Sequence, residues 1–303
     1  VKISFTIFCL FILVHFNGFS QNFYLVKQNN SSYPEFENLL FAFDNTYHQS
    51  NISSNLISLK VDNKETKVDS LLVQNSVIAD SLDLLVVVEL SQAINQNDLQ
   101  IIKNFLNSFT NPIPHIHYTV LLFNELPLAC IDEYWNNLNN IDYLFKSPPL
   151  KRVNFLNFFN FPVTQKFLQA PNNKAIVFIT KSNPKIDVTA FSKIINDNSI
   201  KFINVSLSNQ LQPRLDDLVK QTNSFYLPIS SLPSLESLFP ICIYSSLGGK
   251  PHKIYWNSIL PVGNHLIELS HINDTSQTHL GISSYDLPVL NLASNNYYFG
   301  VFD

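Results

Sequence analysis

Residues 82–90, LDLLVVVEL, form an almost unbroken apolar run. A strand with one wet face alternates apolar and polar residues. A run without alternation must be covered on both faces, as a central strand of a parallel sheet is. KAIVFIT (174–180) has the same character, and HYTVLLFN (117–124), LACIDEYW, IKFINVSL (200–207) and SFYLPI supply further strands. Between them lie stretches of helical period. NQNDLQIIKNFLNSF places Leu99, Ile102, Phe105, Leu106 and Phe109 on one face, with Asn95 or Asn97 as cap and Asp98 in the first turn. VTAFSKIIND places Val188, Phe191, Ile194 and Ile195 inward behind Asp187, and QPRLDDLVKQT starts on Pro213. LPSLESLF closes the series as a short helix. Alternating strands and amphipathic helices predict a parallel sheet sandwiched between helical layers over 82–240.

The flanks read differently. Residues 21–81 carry short β-rich runs such as ENLLFAFD and NLISLKVDN, and 241–290 carry ICIYSS, KIYWNS, HLIELSH and THLGIS, broken by GGKP and PVGN. Neither flank has clear room for a full sandwich, but together they can make one, with the α/β segment inserted between them.

The first twenty residues hold one Lys, an apolar run from Ile3 to Phe16, and the small residues Gly18 and Ser20. This is the pattern of a secretory leader cut near Ser20–Gln21, and the run is short for a bilayer span. Loss of Lys2 with that leader would take the formal charge from −4 to −5. So small a charge excludes nucleic acid as an expected partner. Cys130 and Cys242 would remain, as a pair or as two separate buried thiols, the second being the expectation. The chain starts with Val and contains no Met, and 291–303 reads as the opening of another module, so it is read as part of a longer protein.

In an open parallel sheet, ligands bind beyond the carboxyl ends of the strands. Glu89 ends the first strand, Ser91 and Ala93 follow it, and Lys181 follows the fourth. On DLLVVVELS, TVLLFN, KAIVFITKS and the stretch from IKFINVSLS to SLPSLESLF, residues 82–240 resemble a von Willebrand factor A domain. The resemblance implies a three-layer, Rossmann-like α/β fold and, at those strand ends, a metal-ion-dependent adhesion site of hydroxyls and carboxylates. Here the site is degenerate. Glu89 stands for Asp, Ser91 is kept, Ala93 replaces a second Ser, and Lys181 replaces an Asp. Val153 and Asn154 stand near the place of a mid-domain Thr. An ammonium about 4 Å from a dication costs roughly 8 kcal/mol at an effective dielectric of about 20. Neither Mg²⁺ nor Ca²⁺ is therefore expected, nor any other cofactor. Two placements of the Lys181 ammonium stay open: in the metal's place, paired with Glu89, or out in solvent. The flanks resemble Ig-like modules, from SYPEFENLLFAFD at one end to YDLPVLNLASNNYYFGVFD at the other.

Other candidates are expected to be inert. ELSQA around Ser91 lacks the glycines of a nucleophile elbow. His115 and His117 belong at a strand entry, and His265, Glu268 and His271 are expected on the surface, with Glu268 facing away from both histidines. Asp216 and Asp217 suit a solvated helix face, and GGK (248–250) a hairpin turn. No catalytic residue is identified. The expected function is a non-enzymatic binding or structural module of an exported or cell-surface protein, making protein or glycan contacts without a metal or a membrane span. The alternatives are a metal-dependent adhesin using Glu89 and Ser91, and an accessory region of an exported hydrolase.

Overall fold

In the computed structural model, the described residues are 22–27, 34–110, 113, 115–132, 152–208, 212–222, 224–232, 234–271 and 274–282. The leader (1–20) and the expected further module (291–303) lie outside them. The elements in chain order are β1 (Asn22–Lys27), β2 (Glu35–Phe43), β3 (Ile57–Val61), β4 (Lys64–Thr66), β5 (Val68–Leu72) and β6 (Leu82–Glu89), then α1 (Gln96–Asn107), β7 (Ile116–Phe123) and β8 (Pro127–Asp132). There follow α2 (Pro162–Gln169), β9 (Asn173–Thr180), α3 (Val188–Asp197), β10 (Lys201–Ser206), α4 (Pro213–Gln221), β11 (Phe225–Pro228) and α5 (Leu238–Ser246). Strands β12 (His252–Asn257), β13 (Gly263–His271) and β14 (Asp274–Ile282) close the chain.

The central sheet has the order β11-β10-β9-β6-β7-β8, parallel except for β8, which runs antiparallel at one edge. Read from β8, this is the 3-2-1-4-5-6 order of doubly wound sheets, with its switch point between β6 and β9. Strand β6 shows why its sequence has no polar alternation. Leu84, Val86 and Val88 pack with Leu99, Ile102 and Phe105 of α1 and with Ile241 of α5. Leu85 and Val87 point the other way, into a core built from Phe155, Phe158, Phe178, Phe191, Phe202 and Leu215. That second core is rich in phenylalanine: Phe178 lies 4.5 Å from Phe155 and 5.0 Å from Phe202, centroid to centroid.

The helix ends follow local chemistry. Asn95 and Asp98 form a reciprocal capping box on α1. Asp187 accepts the Ala190 amide at the start of α3 (3.0 Å), and Pro213 and Pro162 open α4 and α2. Helix α2 was not anticipated from the sequence. ICIYSS, expected as a strand, is the second half of α5. From Leu238 to Ser246 that helix is buried on nearly all sides, so its sequence carries no amphipathic stripe that would mark it as helical. Pro240 sits in its first turn, where a missing N–H costs nothing.

The flanks do pair with each other. One sheet has the order β1-β2-β12-β5 and the other β14-β13-β3-β4, all antiparallel. Strands that precede the α/β segment thus pair with strands that follow it, β2 and β5 with β12 and β3 with β13, which sets that segment between the two parts of a split sandwich. Phe36 stacks on Trp256 (4.4 Å) in the sandwich core, beside Leu40, Leu59, Ile254, Ile267 and Leu269. The sandwich meets the α/β layer through Tyr244 of α5, which stacks on Phe43 at 4.4 Å. GGK is a helix-to-strand turn, not a hairpin. Gly248 has φ +101°, and a Cβ on Gly249 would fall 2.4 Å from the Tyr244 ring.

Candidate functional site

The switch point brings the ends of β6 and β9 together, and with them Glu89, Ser91 and Lys181. Glu89 is completely buried and its carboxylate is fully engaged. Oε1 accepts the hydroxyl of Ser91, itself completely buried. Oε2 accepts two backbone amides of the loop after β9, from Lys181 (2.6 Å) and Ser182 (2.9 Å). Such a carboxylate acts as a clamp, tying the carboxyl end of one central strand to the loop leaving its neighbour.

Neither placement considered for the Lys181 ammonium is observed. It does not reach Glu89, and it is only one-quarter exposed. Its Nζ lies 2.6 Å from Oδ2 of Asp98, whose side chain is 8% exposed. The same Asp98 oxygen accepts the Asn95 amide at 2.8 Å. Asp98 therefore closes the capping box of α1 and neutralises Lys181 together. The sequence marks Asp98 only as a first-turn residue, because its partner lies more than eighty positions away.

A second polar set braces the rim from the side. Thr180 Oγ1 lies 3.0 Å from Asn204 Oδ1 and 3.2 Å from Gln212 Oε1, and all three residues are buried. Gln212 then donates to the Ser182 carbonyl at 2.7 Å. Asn124 donates from its side chain to the Leu90 carbonyl, and Asn154 from its own to Glu125 (2.9 Å). Val153, near the place of the family's Thr, is fully buried among the phenylalanines. Of these polar residues only Asn154 was singled out from the sequence.

The donor set does not fit a hard divalent cation, which needs several free oxygens in near-octahedral array. Both Glu89 oxygens are committed to hydrogen donors, Ala93 offers no hydroxyl, and the Asp98 carboxylate is occupied by an ammonium. Among the described residues no group of three or more His, Cys, Asp or Glu side chains could hold a metal.

Away from the rim, His115 and His117 are exposed at the entry to β7. Asp216 pairs with Lys220 on the outer face of α4 (2.6 Å). Cys242 is a free, buried thiol, and burial pushes its pKa up; the side chain of Cys130 lies outside the described residues. The histidines of β13 are not on the surface. His265 and His271 are both buried, on the face opposite Glu268. Their own sheet exposes one face, and these two residues point to the other.

The topology agrees with the von Willebrand A-like fold that the sequence resemblance implied. No family model matches the chain, and no curated protein does. Among solved structures the chain is similar to proximal thread matrix protein 1 of the mussel byssus, in a form with a zinc-occupied MIDAS motif (13% identity, TM-score 0.42). That likeness covers 60% of this chain and 49% of the mussel chain, so it spans about half of the neighbour's length. It is also similar to an aerotolerance-related membrane protein from Bacteroides fragilis (12% identity, TM-score 0.36, covering 55% of this chain and 98% of that one). A third is the SpRpn10 VWA domain (14% identity, TM-score 0.40, covering 57% and 97%). At these scores none of them bears on what the rim does.

Proposed function

We propose that the chain is a non-enzymatic binding or structural module of an exported or cell-surface protein. In this reading it contacts a protein or glycan through the loops at the carboxyl rim of the six-stranded sheet, without a metal. The observation that carries it is the Glu89 clamp. With two backbone amides and the Ser91 hydroxyl on its carboxylate, the rim is braced by its own groups, and both Glu89 oxygens are engaged by hydrogen donors. The rim also presents apolar side chains suited to a partner, Leu126 (50% exposed) and Leu156 (57%). Leu156 borders a hollow of about 450 Å³ shared with Arg152, Lys185 and Arg214. The leader-like N-terminus supports export, and no helix among the described residues is long and apolar enough to cross a membrane. Isothermal titration with Mg²⁺, Mn²⁺ and Zn²⁺ tests the reading. The expected result is no saturable binding up to millimolar metal. Micromolar binding that disappears in Ser91→Ala would replace it with the metal-dependent adhesin.

A further inference from the structure

A second surface, which meets the rim only at Ser208, Pro228, Ser230 and Ser231, lies where the sandwich meets the α/β layer. A cleft of about 1020 Å³ runs between the outer face of β2 and β12 and the strand β11. Three of its properties point to one kind of occupant.

The first is charge. Lys201, Lys220, Lys250 and Lys253 line the cleft with the carboxylates Glu37 and Asp216. Both carboxylates are taken, Glu37 by Lys253 (2.8 Å) and Asp216 by Lys220 (2.6 Å). Lys201 and Lys250 have no carboxylate partner among the described residues. The Lys201 ammonium lies 5.1 Å from the centre of the Phe225 ring. Burial, then repulsion from Lys250, pulls its pKa down. An anion between the two ammoniums would offset their repulsion and favour the charged form of both.

The second is the open strand edge. Among the described residues β11 is the last strand on its side of the sheet, paired only with β10, and all four of its residues line the cleft, Pro228 without an N–H to offer. Alternate N–H and C=O groups of an edge strand face away from its one neighbour and can pair with another chain. The third is mixed polarity. Phe41 and Tyr226 give the cleft aromatic walls, and the buried Oγ of Ser245 has no hydrogen-bond partner.

A sugar acid or a free phosphate would use the lysines alone, whereas an extended peptide also uses the strand edge. We propose that the cleft receives an acidic peptide segment, laid as an added strand along β11 with its carboxylates on Lys201 and Lys250. Side chains on one face of a strand recur every second residue, so an alternating acidic–apolar sequence would set carboxylates on the lysines and apolar groups on the aromatic walls.

The probe is a fluorescein-labelled peptide of alternating Glu and Val, measured by anisotropy against the whole chain. Saturable binding is expected, weakening about tenfold for each ammonium removed in Lys250→Gln and in Lys201→Gln/Lys250→Gln. The exposed Lys250 can be changed without disturbing the core, so its single variant stands even if the double variant folds poorly. A peptide of the same charge, N-methylated at alternate residues, is expected not to bind. No saturation at millimolar peptide, equal affinity for Lys250→Gln, or equal binding of the N-methylated peptide would each overturn the proposal. So would a sulfated oligosaccharide that displaces the peptide and binds more tightly.

Discussion

Lys181 serves two acidic residues with two different atoms: its backbone amide binds Glu89 at 2.6 Å, and its side-chain ammonium binds Asp98 at 2.6 Å. The side chain can be changed without touching the first contact. Lys181→Met should leave the Glu89 clamp in place while stranding the Asp98 carboxylate, which keeps only its capping-box bond. The pair is partly screened, so the expected loss is about 1–2 kcal/mol in urea unfolding. A neutral result would mean that the ion pair contributes nothing net.

Glu89 should be far less tolerant. Glu89→Ala leaves the Lys181 and Ser182 amides without their acceptor and opens a void at the switch point. A loss of about 3–5 kcal/mol is expected. Glu89→Gln keeps one oxygen for the two amides and should cost about 1–2 kcal/mol. Equal effects of the two variants in chemical denaturation would argue against the clamp.

Charge at position 181 should govern any response to divalent ions. Lys181→Asp sets a new carboxylate near Glu89 and Asp98. Like charges at that spacing repel, so the variant should melt below the parent in EDTA and partly recover in millimolar Mg²⁺. The parent should melt at the same temperature with and without Mg²⁺. A parent shift of several degrees would contradict the metal-independent reading.

Two histidines of the sandwich should oppose each other with pH. When protonated, His265 donates from both ring nitrogens, to Asp62 at 2.7 Å and to the Pro261 carbonyl at 2.9 Å. The hydrogen bond to Asp62 is the main cause that raises its pKa. Its contribution is therefore complete below about pH 6.5, the unfolded value, and fades as pH rises through the higher folded one. Asp62 is shifted down, chiefly by the same bond, so its contribution holds above the ordinary carboxylate range and fades in stronger acid. His252 is shifted down by burial. Its neutral form favours folding fully above about pH 6.5 and less as pH falls below it. Unfolding between pH 5 and 8 should show His265→Gln closing its deficit to the parent as pH rises. His252→Gln should remove part of the acid-side loss. Parallel curves for all three proteins would refute both assignments.

The aromatic core beneath the rim should be a principal source of stability. Phe178 is fully buried between Phe155 and Phe202. Phe178→Ala should cost about 3–5 kcal/mol, and Phe178→Leu clearly less, by thermal or chemical unfolding. A smaller loss for Ala than for Leu would mean that the site collapses around the void.

What could be read from the chain alone was local or periodic. The unbroken run of β6 declared burial on both faces. Asn95, Asp187 and Pro213 marked helix starts, because a cap is chemistry between neighbours in sequence. The insertion of the α/β segment in a split sandwich was also legible, since neither flank had enough strands to stand alone. Where pattern was missing, reading failed. ICIYSS reads as a strand because a helix buried all round has no stripe, and a short apolar run does not distinguish the two states. The histidines of β13 were placed outside because their burial depends on which face of a sheet is covered, and that is set by a partner far along the chain. The same holds at the rim. Sequence position showed that Lys181 replaces a carboxylate, but its choice of Asp98 over Glu89 is a matter of distance between loops that only folding brings together. Glu89 was already satisfied by two backbone amides, and main-chain donors leave no trace in residue identity. The ammonium goes instead to Asp98, where it shares the oxygen that already accepts the Asn95 amide.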